Sequence, residues 1–222
     1  MLRHLPNLLT SLNLLCGVLG IVATFEAWSW PAAWFIWMAC GFDFLDGFTA
    51  RLLNVSSSIG KELDSLADAV SFGVLPSVIM YSMFKEQDAG MMTYAAFLIA
   101  ILSAVRLAIF NVDETQRDSF KGLPTPANAI FLSALPLQAG VIGSWLENPV
   151  VLLIITIVFS LLLVSRIELF ALKFKSFRWQ DNQLRFSFLI AAVALLLIFS
   201  TAAIPWVILL YIGLSLVQKA FS

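Results

Sequence analysis

Apolar runs long enough to cross a lipid bilayer recur from one end of this 222-residue chain to the other, and the polar breaks between them are too short to hold a second folded unit. Inside a bilayer every backbone N–H and C=O must find its partner within the segment, so each run reads as a helix. The expected fold is therefore all-α, a single polytopic transmembrane bundle over residues 1–222. Composition agrees: 60% of residues are hydrophobic and 12% charged, against about 25% charged in a soluble domain. Thirteen basic residues face fourteen acidic ones and no basic run is present, which excludes nucleic acid as a partner. Cys16 and Cys40 both fall inside apolar segments and read as buried thiols. The polar stretch around Asn7, Thr10, Ser11 and Asn13 has no small-residue cleavage site, so a removable leader is not expected.

Cutting the apolar windows at charges and at Pro or Gly gives about eight spans: 8–27, 31–53, 63–84, 91–110, 126–145, 149–164, 186–204 and 205–217. Pro31, Pro126 and Pro149 open spans, where a missing N–H is harmless. Pro205 is read as the turn that divides the last apolar run. With the N-terminus inside, twelve basic residues fall at or near cytoplasmic ends: Arg3, Arg51, Lys61, Arg106, Arg117, Lys121, Arg166, Lys173, Lys175, Arg178, Arg185 and Lys219. Only Lys85 is left outside. That asymmetry predicts an even number of spans with both termini cytoplasmic, and six spans would satisfy the same parity. The polar segments 111–125 and 166–185 then lie on the cytoplasmic side, the second as a basic and aromatic anchor at an anionic lipid surface. The isolated His4 reads as an interfacial residue.

Ionisable groups at membrane depth are costly, and four aspartates occur there. On one helix Asp43, Asp46, Gly47 and Ala50 share a face by three- and four-residue steps; on the next, Gly60, Asp64 and Asp68 do the same. The first pair lies where its helix approaches the cytoplasm and the second where the chain returns, so all four meet at one level. Four crowded carboxylates either protonate or are neutralised by cations. Hard oxygen donors without His or Cys suit Mg²⁺ or Mn²⁺, and four shared carboxylates suffice for two divalent ions. Such a pair grips bridging phosphate oxygens, which makes a nucleoside diphosphate ester a natural substrate. Gly47, Ala50 and Gly60 leave room for it, and Arg51 is placed to pair with a phosphate or to snorkel to the interface. A cation transporter is the rival reading from another class, but transport predicts carboxylates spread along a path.

The pattern Asp43-x2-Asp46-Gly47-x2-Ala50-Arg51-x8-Gly60-x3-Asp64-x3-Asp68 resembles the signature of the CDP-alcohol phosphotransferases at all eight fixed positions. The stretches Pro6 to Gly17, Ser71 to Pro76, Arg106-Leu107 with Asn111-Val112, and Gly122 to Pro126 are similar to its serine-accepting branch, and the likeness covers about residues 5–135. The resemblance implies that Asp43, Asp46 and Asp64 hold one ion and Asp43, Asp64 and Asp68 the other, with Asp68 as general base. It implies CDP-lipid contacts at Asn7, Thr10, Gly47, Ala50, Arg51, Ser57 and Gly60. It also implies a catalytic core over 1–135, with additional helices in 136–222, and a homodimer among membrane lipids. The expected reaction moves the phosphatidyl group of CDP-diacylglycerol to L-serine, giving phosphatidylserine and CMP, at the cytoplasmic face of the cell (inner) membrane. Glycerol phosphate, inositol and inositol phosphate are alternative acceptors. Arg106, within a span near its cytoplasmic end, is the expected holder of the serine carboxylate, with Asn111 and Lys121 as further acceptor contacts.

Overall fold

The computed structural model describes residues 4–26, 28–55, 57–113, 120–138, 143–170, 178–180 and 182–220. Arg3, Arg117, Lys173 and Lys175, four of the cations used to assign sidedness, lie outside them.

Proline and polar caps set the helix starts. Pro6 sits in the first turn of α1 (Leu5–Phe25), and Pro31 immediately precedes α2 (Ala32–Leu52). The Ser57 hydroxyl accepts the Gly60 N–H at 3.0 Å and starts α3 (Ser58–Asp68) several residues before the expected span at 63. There the cap outweighs the charges of Lys61 and Glu62. A π-helical turn (Ala69–Val74) joins α3 to α4 (Leu75–Glu86) without a break. Pro76 gives the reason: it has no N–H, and its ring would crowd the Phe72 carbonyl in an α-helix. The wider turn, in which the Leu75 N–H reaches the Val70 carbonyl, relieves that crowding.

A 3₁₀ segment (Gly90–Ala96) leads into α5 (Phe97–Val112). The expected span at 126–145 is interrupted: α6 (Thr125–Ala134) gives way at Pro136 to a 3₁₀ turn (Pro136–Gln138), and a single turn, α7 (Gly143–Leu146), precedes α8 (Pro149–Leu163). The Asn148 side chain caps α8 by accepting the Val150 N–H at 2.9 Å. The final apolar run divides into α9 (Gln183–Phe199) and α10 (Ile204–Ala220) at a 3₁₀ turn (Ser200–Ala203), directly before Pro205.

Among the described residues the regular structure is helical apart from two two-residue strands, β1 (Phe120–Lys121) and β2 (Glu168–Leu169), paired antiparallel. These strands tie together the two long polar segments, a pairing no sequence pattern announced. Gly122 makes it possible. Its φ of +79° suits glycine, and a Cβ there would collide with the Leu163 carbonyl.

Among the described residues, four helical stretches are long and apolar enough to cross a membrane: Leu5–Phe25, Ser58–Glu86, Gly90–Val112 and Gln183–Lys219. α2 matches α1 in length and packs along it most extensively of all the helix pairs. The buried stripe of α1 is small, with Thr10, Asn13, Gly17, Gly20 and Ala23, which lets neighbouring backbones approach closely. One apolar cluster joins α1, α2 and α4 through Ile36, Ala39, Phe72 and Leu75; a second joins α4, α5, α6 and α8 to α10 through Met80, Ile99, Leu132 and Tyr211. Large apolar side chains such as Leu15, Phe44, Ile101 and Leu197 remain on the exterior, as a hydrocarbon solvent permits.

Candidate metal centre and adjoining cavities

α2 and α3 both pack chiefly on α1 rather than on each other. The helices expected to be direct neighbours are therefore separated by a cleft with α1 as its back wall, and the acidic side chains converge across it. One carboxylate oxygen from each of Asp43, Asp64 and Asp68 lies within 4.8 Å of the others. Asp46 and Asp68 are buried and Asp43 and Asp64 half-buried. Asp46 stands outside that trio, although Asp64 and Asp68 are within its electrostatic reach.

Two α1 side chains hold the carboxylates from behind. The Thr10 hydroxyl donates to Asp46 Oδ2 at 2.6 Å, with the Pro6 carbonyl a second acceptor at 3.0 Å. Asn13 Nδ2 donates to Asp68 Oδ1 at 3.0 Å. Asp64 Oδ1 is buried with no hydrogen-bond partner among the described residues. A desolvated carboxylate oxygen left in that state calls for a cation. All-oxygen donors within one ion's reach of each other fit Mg²⁺ or Mn²⁺.

Beside the acids opens a cavity of about 470 Å³. Six of the residues predicted to contact a CDP-lipid line it: Asn7, Thr10, Gly47, Ala50, Ser57 and Gly60. Arg51 is one turn removed, its Nη2 4.0 Å from where a Gly47 Cβ would stand. A Cβ at Gly60 would come within 3.0 Å of Asn7 Oδ1 and Ser57 Oγ, so glycine keeps this wall open. Ser57 has a second role as the α3 cap, and with Gly60 and Lys61 it places the N-terminal end of that helix on the cavity wall. His4 and Lys61 also line it, and sequence reasoning missed both as contacts. His4 is isolated in the sequence and carried no pattern; Lys61 was absorbed into the count of cytoplasmic cations.

A second cavity, of about 530 Å³, lies between the C-terminal ends of α5 and α8. Arg106 enters it buried, with Nε unpartnered among the described residues and Asp68 within electrostatic reach. Lys121, 3.8 Å from Asp113, lines it too, as do Arg166 from the α8–β2 connection and Glu168 from β2. Asn111 does not line it. Its carbonyl accepts from Lys61 Nζ at 3.1 Å and its Nδ2 donates to Ser65 Oγ at 2.7 Å, which ties the end of α5 to the start of α3. Cys16 and Cys40 are free thiols, buried and half-buried.

The family model described as CDP-alcohol phosphatidyltransferase matches residues 3–165. A relative from Bacillus subtilis (strain 168) named CDP-diacylglycerol–serine O-phosphatidyltransferase is 35% identical over 167 residues, 75% of this chain and 90% of that protein. Relatives of the same name are 38% identical in Mycobacterium leprae (strain TN), over 76% of this chain and 58% of theirs, and 33% identical in Methanocaldococcus jannaschii, over 74% and 72%.

Proposed function

The chain belongs to the CDP-alcohol phosphatidyltransferase family, and from that premise we propose that it transfers the phosphatidyl group of CDP-diacylglycerol to L-serine, releasing CMP. The observation that carries the reading is the convergence of Asp43, Asp64 and Asp68 beside a cavity lined by Asn7, Gly47, Ala50 and Gly60. The names and coverage of the relatives favour serine as acceptor.

Two divalent ions, Mg²⁺ or Mn²⁺, are proposed, one held by Asp43, Asp46 and Asp64 and the other by Asp43, Asp64 and Asp68. When bound they neutralise the diphosphate and ease departure of CMP. The protein does the rest by placement. Asn7, Thr10, Ser57 and the small residues Gly47, Ala50 and Gly60 receive the CDP moiety, Arg51 faces its phosphates, and the α3 N-terminus adds N–H donors. Asp68 takes the serine hydroxyl proton on the carboxylate oxygen that Asn13 leaves uncommitted, since an alcohol attacks poorly until that proton is removed. Arg106 holds the serine carboxylate at the cavity between α5 and α8, and Lys121 lines the same cavity. A zwitterionic acceptor suits a wall that mixes Arg106, Lys121 and Arg166 with Asp113 and Glu168.

We further propose eight spans with both termini cytoplasmic, a core over residues 1–135 braced by helices in 136–222, and a homodimer in the cell (inner) membrane with the site open to the cytoplasm. The grouping of Lys61, Arg106, Lys121 and Arg166 at the same end of the bundle as the acids supports that sidedness.

The test is CMP release by purified protein given CDP-diacylglycerol, Mn²⁺ and a panel of labelled serine, glycerol phosphate, inositol and inositol phosphate. Serine is expected to dominate. Equal or greater product with glycerol phosphate would refute the assignment of acceptor.

A further inference from the structure

Thr10 and Asn13 are one turn apart on α1, and each donates to a carboxylate on a different wall of the cleft: Thr10 to Asp46 on α2, Asn13 to Asp68 on α3. Asn13 is fully buried and lines neither cavity next to the acids. It is itself anchored: the Ser71 hydroxyl donates to the Asn13 carbonyl at 2.9 Å. Ser71 lies in the π-helical turn that begins one residue after Asp68. Gly17 permits this contact, because a Cβ there would stand 2.5 Å from Ser71 Oγ.

Packing alone does not account for an amide at this position. The neighbours Leu12, Leu14 and Leu15 are apolar, and Asn13 Oδ1 finds no donor among the described residues. A half-satisfied buried amide weakens a fold relative to an apolar side chain of similar size. What Asn13 does accomplish is to commit one Asp68 oxygen to a fixed neutral donor. The carboxylate plane is then set, and one oxygen of that carboxylate lies within 4.8 Å of an oxygen from each of Asp43 and Asp64.

We infer that Asn13 is a positioning residue: it fixes the orientation of Asp68 for the divalent ions and for the acceptor proton, and Ser71 fixes Asn13. The inference rests on the proposed metal-dependent transfer and extends it to two residues outside the eight-position signature.

Its test uses the full chain in detergent micelles with Mn²⁺ alone as the probe, bound Mn²⁺ being read by loss of the free-ion electron paramagnetic resonance signal. Asn13→Leu is expected to weaken Mn²⁺ binding about 10- to 100-fold. Its kcat should fall by a similar factor at limiting Mn²⁺, while the KM for CDP-diacylglycerol at saturating Mn²⁺ and the thermal midpoint stay near wild type. Ser71→Ala, which keeps the amide but frees its anchor, is expected to weaken binding about threefold. Mn²⁺ affinity within twofold of wild type in Asn13→Leu overturns the inference. So does an Asn13→Leu protein that does not fold together with a Ser71→Ala protein that binds Mn²⁺ as wild type does. A wild-type protein that binds Mn²⁺ but prefers another acceptor would refute the serine assignment and leave this inference standing.

Discussion

Replacing Gly17 by alanine tests the closest helix contact behind the acidic centre. The added Cβ would lie 2.5 Å from Ser71 Oγ, 3.0 Å from Ser71 Cα and 3.1 Å from its backbone nitrogen. The first distance is about 0.9 Å short of ordinary contact, and because two of the three atoms are backbone, turning the Ser71 side chain cannot relieve the overlap. α1 must move off the π-helical turn. Overpacking of this kind costs about 2 kcal/mol, and loss of the Ser71 to Asn13 hydrogen bond adds about 1 kcal/mol. A destabilisation of about 3 kcal/mol corresponds to a fall in thermal midpoint of roughly 6 to 12 °C for a chain of this size. Gly20→Ala is the control. Its nearest atom, also at 2.5 Å, is a Leu75 methyl at the end of a flexible side chain, so about half that shift is expected. The assay is thermal unfolding of the detergent-solubilised protein followed by circular dichroism, with CMP release measured in parallel. A Gly17→Ala midpoint within 2 °C of wild type, or a Gly20→Ala shift as large as that of Gly17→Ala, would refute the argument from α1 packing.

Asp64→Asn leaves the cleft without one of its three converging carboxylates and is expected to lower CMP release by more than about 100-fold without loss of folded protein, checked by circular dichroism beside the activity assay. Treatment with EDTA should abolish CMP release, and either Mg²⁺ or Mn²⁺ should restore it; activity that persists through exhaustive chelation would exclude a metal centre. Arg106→Gln is expected to raise the KM for serine about 10- to 100-fold, the worth of a hydrogen bond between charged partners, with little change in the KM for CDP-diacylglycerol. Gly122→Ala should lower stability by about 2 kcal/mol or more, because the residue has φ +79° and faces carbonyls of the α8 terminus; an unchanged thermal midpoint would contradict the described link between β1 and β2.

The acidic face was legible because three- and four-residue spacing is a property of helices, whatever they pack against. Asp43, Asp46, Asp64 and Asp68 could be placed on two facing surfaces from the sequence, and so could the small residues that line the cavity beside them. The role of α1 was less legible. Spacing shows that Thr10 and Asn13 share a face, but which carboxylate each one meets depends on how α1 sits between α2 and α3, a tertiary fact. Asn111 shows a further limit. A polar residue near a charged loop suggested a contact with substrate, whereas the described structure has it joining α5 to α3 through Lys61 and Ser65. The interruption at Pro136 and the pairing of β1 with β2 escaped for different reasons. The first was hidden by continuous hydropathy across residues 126–145, and two-residue strands carry too little alternation to be seen.

The π-helical turn between Asp68 and Leu75 also acts as a rotary coupling. Each residue there advances the spiral by roughly 82° instead of 100°, so its six residues offset the two ends by roughly a quarter to a third of a revolution. One continuous rod can therefore aim its acidic end at the cleft and its apolar end, with Met80, Met83 and Phe84, at the cluster shared with α5 and α6. Removing a single residue between 69 and 74 would leave both faces aimed nearly as before, since five α-helical steps turn about as far as six π-helical ones, but would press the Pro76 ring against the carbonyl four residues before it.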